Sequence, residues 1–276
     1  FYKQPDLSWL LAETFTGEAN GDEFGHSVTL SEDGKTLAIG APYNDDNGDR
    51  SGHVRVYNLV GSEWQQVGQD IDGEAATDWS GRSVSLSADG TTVAIGASLN
   101  DGNNGDNSGH VRVYNLVGSE WQKIGQDIDG EAARDYSGSS VSLSADGTTV
   151  AIGAYSNDGN GSDSGHVRVY NLVGSEWQQV GNDIDGEAAG DFSGLSVSLS
   201  ADGTTVAIGA TGNDGNGDTS GHVRVYNRDG SEWQQVGGDI DGEAAYDYSG
   251  WSVSLSADGT TVAIGADKND GNGRSS

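Results

Sequence analysis

Short stretches in which apolar residues alternate with small or polar ones run along the whole chain. Ser83 to Ser87 reads Ser-Val-Ser-Leu-Ser and Thr91 to Ala97 reads Thr-Thr-Val-Ala-Ile-Gly-Ala. A period of two predicts half-buried strands, and Ala88-Asp89-Gly90 between them is the signature of a tight hairpin. After a polar loop, His110 to Asn115 puts Val111 and Val113 on one face and His110, Arg112 and Tyr114 on the other, and Trp121 to Ile128 supplies a fourth strand. No stretch carries the helical period.

The same pattern returns along the chain. Gly-Glu-Ala recurs at Gly17, Gly73, Gly130, Gly186 and Gly242, spacings of 56, 57, 56 and 56 residues. A period of this size marks a repeat architecture. The 276 residues therefore divide, within one repeat domain, into copies at 17–72, 73–129, 130–185 and 186–241 and a partial copy at 242–276. Four short antiparallel strands whose apolar faces are covered only by neighbouring copies describe a propeller blade. The expected fold is all-β, a propeller of about five blades, with an open stack of sheets in a fibre as runner-up. Residues 1–16 include Trp9-Leu10-Leu11, which looks like a fourth strand able to close the ring. The chain stops at Ser276, before the third strand expected in the last copy, so a longer protein or a partner is expected to supply it.

Composition changes this picture in two ways. Hydrophobic residues make up only 33%, a thin supply for an ordinary core, yet their regular recurrence argues against disorder. The 43 acidic against 13 basic side chains give a net charge of −30, which disfavours nucleic acid and anionic membranes and favours cations. Such acidity suits a saline or divalent-rich medium, where carboxylate repulsion is screened. Without cysteine there is neither a disulfide framework nor thiolate chemistry. No apolar run is long enough to span a membrane, and a start at Phe1-Tyr2-Lys3-Gln4, lacking Met and a signal core, reads as a processed or excised piece.

Carboxylates and amides concentrate in the loop between the second and third strands. Asp45, Asn47 and Asp49 read Asp-x-Asn-x-Asp, as do Asp214, Asn216 and Asp218. The other copies offer Asp158, Asn160 and Asp163, and, with one inserted residue, Asp101, Asn103 and Asp106, while the last ends in Asp270, Asn272 and Arg274. Alternate oxygen-bearing residues with glycine between them can wrap a hard cation, and Ca²⁺ is the expected one. The competing reading is that Asn, Asp and Gly are simply what turns prefer. A second acidic set, Asp70, Asp72, Glu74 and Asp78, recurs before each first strand as further ligands or as turn caps.

His53, His110, His166 and His222 occupy one slot, as do Arg55, Arg112, Arg168 and Arg224, and Trp64, Trp121, Trp177 and Trp233. Equivalent positions repeated in every blade are read as scaffold: the histidines as packing, the arginines as partners of carboxylates, the tryptophans as filler between blades. The positions at which near-identical copies differ point instead to recognition. Thr77, Arg134 and Tyr246 share one such slot, Arg82, Leu195 and Trp251 another, and Tyr155 follows a Gly-Ala. The connections place all of them, with the Asp/Asn loops, at one end of the blades. They form the expected ligand-binding face.

Phe24-Gly25 opens the first strand of copy one and Gly40-Ala41-Pro42 closes its second, so this copy resembles an FG-GAP repeat, the blade of integrin α-chain propellers. Later copies keep Gly96-Ala97, Gly153-Ala154, Gly209-Ala210 and Gly265-Ala266 but carry Ser80, Ser137, Ser193 and Ser249 in place of the Phe. The resemblance implies a propeller outside the cell or at its surface, bound to calcium and engaged in adhesion or ligand recognition. One departure matters. The family's calcium loop, Asp-x-Asp-x-Asp-Gly-x-x-Asp, lies between the first two strands, where this chain has only Ser-Ala-Asp-Gly-Thr, so that site is not carried over.

No cysteine nucleophile, His-Glu-x-x-His motif or phosphate loop is present, and near-identical copies repeat the same groups instead of converging unlike ones. The chain is therefore expected not to be an enzyme. The expected function is that of an extracellular or cell-surface binding or structural module, calcium-stabilised, for adhesion or surface assembly. A lectin-like propeller with equivalent glycan sites is the alternative. The expected partner is a protein or glycan at a surface, or other copies in an assembly, without nucleic acid or membrane insertion.

Overall fold

The computed structural model describes residues 13–271 together with two short strands, Tyr2–Lys3 and Trp9–Leu10. Among the described residues the chain is all-β and forms a propeller of consecutive antiparallel blades. Blade 2 is representative: Ser80–Leu86, Thr92–Ala97, His110–Val117 and Glu120–Lys123 lie side by side in that order. Blade 5 is described as two strands, Ser249–Leu255 and Val262–Ala266. Trp9–Leu10, read above as able to close the ring, pairs with Tyr2–Lys3. Asn272 and Arg274 lie outside the described residues.

Two details depart from the strand bounds read off the pattern. The first strand of blade 2 runs back past Ser83 to Ser80 across a bulge, since Ser80 pairs with Ala97 and Ser83 with Gly96. The fourth strand is broken: after Glu120–Lys123 it leaves the third strand and returns only as Ile128–Asp129, opposite His110 and Val111. Into the corresponding break one blade earlier reaches the next blade's tryptophan. Trp121 Nε1 donates to Val67 O at 2.9 Å and Trp177 Nε1 to Ile124 O at 3.0 Å. The indole thus satisfies a carbonyl left over by the break while its ring packs between blades.

Each blade offers two unlike faces. Ala94, Val111, Val113 and Ile128 of blade 2 meet Leu143, Val150, Ile152, Tyr170 and Trp177 of blade 3, and blades 1 and 2 and blades 3 and 4 repeat the arrangement. Full burial of each Val or Ile contributes roughly 1.5–3 kcal/mol, so a small hydrophobic fraction suffices where the inward-facing Val and Ile of neighbouring blades are fully buried. Phe15 packs on the face of blade 1 turned away from blade 2, its ring 4.8 Å from that of Tyr57 and 6.0 Å from that of Trp64.

The inner strands approach so closely that only glycine fits. A Cβ on Gly96 would overlap the carbonyl oxygen of Gly138 in the next blade. The alternating serines are also explained: Ser83 Oγ donates to Gly138 O at 2.8 Å and Ser85 Oγ accepts from Leu143 N at 2.9 Å. Below them, the hairpins between the first two strands join into a relay. Glu32 N donates to Ala88 O, Ala88 N to Ala145 O, Ala145 N to Ala201 O and Ala201 N to Ala257 O, at 2.8–2.9 Å.

Candidate functional site

The loops between the second and third strands and those entering each first strand share one end of the propeller. All twelve non-glycine residues with positive φ among the described residues lie there, including Arg50, Thr77, Trp79, Arg134, Tyr136, Phe192, Tyr246 and Tyr248. For bulky side chains this conformation is strained and persists only where surrounding structure imposes it. What imposes it is a strap between the two loops. The buried Asp78 accepts from Ala75 N at 2.9 Å and from Asn100 Nδ2 at 3.1 Å, and Asn100 Oδ1 accepts from Gly102 N at 2.7 Å. Asp135 with Asn157, and Asp191 with Asn213, repeat it.

The Asp/Asn loops sit beside this strap. Asp45 Oδ1 accepts from Arg50 N at 2.8 Å, Asp101 Oδ1 from Asn107 N at 2.9 Å, and Asp158 and Asp214 Oδ1 from Asp163 N and Thr219 N at 2.8 Å. Asn47, Asn160 and Asn216 each donate through Nδ2 to two backbone carbonyls of the next loop, such as Gly73 O at 2.7 Å and Glu74 O at 3.2 Å. The inserted residue gives this slot in copy two to Asn104, which bonds Gly130 O, while Asn103 Nδ2 reaches Asp129 Oδ2 at 3.0 Å. The exposed Asp49, Asp106 and Asp218 use their carbonyls to receive the N–H of Thr77, Arg134 and Tyr246. Asp163 falls one position later, in the positive-φ slot of Arg50.

Of the varied residues, Thr77, Arg134 and Tyr246 stand one per blade on these strained loops, and Tyr246 is 57% exposed with its hydroxyl donating to Asp218 Oδ2 at 2.5 Å. That hydrogen bond raises the tyrosine's pKa. Arg82, Leu195 and Trp251 sit in the bulges of the inner strands. Arg82 is held 2.6 Å from His26 Nε2, Leu195 is half-buried, and Trp251 is 53% exposed. Tyr155 stacks on Tyr136 at 5.4 Å and meets Phe192 at 6.3 Å, Tyr43 meets Trp79 at 4.9 Å, and Lys268 Nζ lies 4.2 Å over Tyr248. The ring set Trp79, Tyr136, Phe192 and Tyr248 escaped the sequence reading, although Asp-aromatic-Ser-Gly recurs in four copies.

The histidines bring together groups far apart in the chain. His166 is 1% exposed, with its Nδ1 3.9 Å from Glu131 Oε2 and 3.8 Å from Asp183 Oδ2. His222 Nδ1 lies 4.0 Å from Glu187 Oε2, with Asp239 in the same cluster, and Glu74, His110 and Asp127 form the equivalent group. In copy one His53 Nδ1 is 3.7 Å from Asp46 and 3.8 Å from Asp70, beside Glu18. Burial first, then the adjacent Arg112 or Arg168, pushes His110 and His166 down to about 4, so both rings are neutral near pH 7 and form no ion pairs. Burial also raises the Glu131 carboxyl. These clusters of His and carboxylate have the donor set to hold a metal ion. The arginines brace the same junction. Arg112 Nη2 donates to Asp72 O at 2.8 Å and pairs with Glu74 at 3.3 Å, and Arg55 pairs with Asp70 and Glu18.

The pattern of the FG-GAP repeat matches residues 16–57, 71–114, 127–170 and 240–276. No curated protein matches the chain. Among solved structures, one from Bacteroides uniformis named as a candidate 6-phosphogluconolactonase is similar at TM-score 0.60 and 14% identity, over 95% of this chain and 66% of that one. The periplasmic gluconolactonase PpgL of Pseudomonas aeruginosa is similar at TM-score 0.59 and 18% identity, over 86% and 64%, and Kuenenia stuttgartiensis hydrazine synthase at 0.54 and 15%, over 86% and 70%. The chain thus spans just under two thirds of each of the two lactonase-named chains. At these identities the likeness concerns the fold. It nevertheless corrects the expectation that the chain is not an enzyme, because structures named for enzymes are built on this framework. Repetition does not exclude catalysis, since a propeller site can draw one unlike residue from each of several blades.

Proposed function

The chain belongs to the FG-GAP repeat family, and on that premise we propose that it is a recognition module for a protein or glycan ligand outside the cell or at its surface. The observation that carries this reading is the concentration of strained, aromatic and varied residues at one end, with Tyr246 and Trp251 more than half exposed. Strain at non-glycine positions is costly and is retained where geometry serves a site. Adhesion or surface assembly is the role proposed, and repeated similar contacts on a rigid body gain by avidity. Calcium held at the exposed Asp-x-Asn-x-Asp loops would stabilise that end. Multiple equivalent glycan sites are the alternative, favoured by the row of rings at the loop end. Binding to a glycan array and to candidate surface proteins, compared between the wild type and Tyr246→Ala/Trp251→Ala, tests the reading. Loss of a detected ligand in the double variant is expected, and a ligand held equally well by both forms would move the site elsewhere.

A further inference from the structure

The geometry points to a divalent transition-metal ion held at Glu131, His166 and Asp183, and a second at Glu187, His222 and Asp239, at sites distinct from the proposed calcium loops. Three observations carry it. The first is the ring itself: both nitrogens of His166 and of His222 are buried without a hydrogen-bond partner, a costly arrangement for an imidazole that needs one donor and one acceptor satisfied.

The second is the spacing. The ligand atoms of each cluster lie within 4.8 Å of one another; Nδ1 of His166 lies 3.9 and 3.8 Å from Glu131 and Asp183, and Nδ1 of His222 lies 4.0 Å from Glu187. That is too long for a hydrogen bond. Two ligands of one ion at about 2.1 Å and a tetrahedral angle sit roughly 3.4 Å apart, so the approaches to Nδ1 need to close by about half an ångström and the widest pairs by up to about 1.4 Å.

The third is the division of labour within each carboxylate. Asp183 Oδ1 accepts from Gln179 Nε2 at 2.6 Å, and its other oxygen faces His166. Glu131 Oε1 lies 3.4 Å from Arg168 Nη1, and its Oε2 faces the same ring. Glu187 and Asp239 are held alike by Arg224 and Gln235. Outer donors that fix one oxygen and leave the other directed inward are how metal ligands are oriented. Counting Arg168, the Glu131 cluster still keeps a net negative charge. A nitrogen ligand beside two carboxylates selects zinc and its neighbours over calcium or magnesium, which prefer oxygen alone.

In the other two clusters a basic side chain binds the aspartate, whereas Arg168 and Arg224 pair with the glutamate. Arg55 donates through Nε and Nη2 to Asp70 Oδ2, the oxygen that faces His53, and Lys123 Nζ lies 2.6 Å from Asp127 Oδ1, where the other copies have Gln. Those sites are expected to stay unfilled.

The test is calorimetric titration of the chelator-stripped full chain with Zn²⁺, with Co²⁺ absorption reporting nitrogen ligation. One ion is expected for each of the two clusters, and Asp183→Asn should lose one. Lys123→Gln should gain one at Glu74, His110 and Asp127. This gain of a site does not depend on a variant that risks misfolding. The proposal fails if zinc is not taken up, if uptake ignores both variants, if calcium binds these clusters equally, or if Asp158→Ala and Asp214→Ala abolish uptake and so place the ions in the loops.

Discussion

The two ends of the propeller solve the same connection problem with opposite chemistry. Among the described residues only glycine takes positive φ at the hairpin end, as at Gly90, Gly147 and Gly203, and the backbone relay from Glu32 to Ala257 ties each turn to the next. At the loop end twelve side-chain-bearing residues are held in that conformation by buried Asp–Asn straps. The first arrangement is relaxed and constant. The second is strained and varied, and the strap lets variation at the rim proceed without loss of loop shape.

Breaking a strap should give the largest effect. Asp135→Ala leaves Ala132 N and Asn157 Nδ2 without their buried acceptor and should cost about 3 kcal/mol, whereas the hairpin's exposed Asp146→Ala should cost much less. Urea unfolding of the two variants measures the contrast, and equal losses would abolish it. Next comes backbone chemistry. Gly147→Ala, at φ 70° and with its new Cβ 2.8 Å from Thr92 Cβ, should destabilise by more than about 1 kcal/mol, while Arg134→Gly, at φ 69°, should be neutral or stabilising by up to about 1 kcal/mol. Opposite signs sharpen the distinction, and the same sign would remove it. Gly190 already occupies Arg134's slot in the fourth copy.

The smallest effect concerns acid. Hydrogen bonds from Ser200, then from Thr204, hold the Asp202 carboxyl below its ordinary value of 3.8. A depressed folded pKa contributes stability that is present above 3.8 and is lost as pH falls through the folded value. A drop in melting temperature should therefore appear below pH 4 and be smaller by one such contribution in Asp202→Asn, at equal ionic strength, since Asp89 and Asp146 are depressed in the same way.

Much of this was legible because the determinants are local. Ser-Val-Ser-Leu-Ser, the Ala-Asp-Gly turn and the Gly-Ala closing each second strand declare strands and hairpins within a few residues, and the 56-residue return of Gly-Glu-Ala declares the blades. The unreadable parts depend on distance or on register. Glu131, His166 and Asp183 meet only after folding, so the sequence alone shows His166 as packing. One inserted residue in copy two moves the carbonyl-binding amide from Asn103 to Asn104. The break in each outer strand was hidden because its carbonyl partner, as in the bond from Trp177 to Ile124, comes from the following blade.

The junctions between blades carry a genetic consequence. The serine-to-glycine bond across the inner strands recurs at 2.7–2.8 Å at all four interfaces, from Ser27 with Gly81 to Ser196 with Gly250. A crossover between misaligned copies of such a gene would add or delete one whole period in frame, and the new neighbours would meet through an interface already in use. Blade number can therefore drift by recombination, while point mutation at the loop end alters what each blade presents.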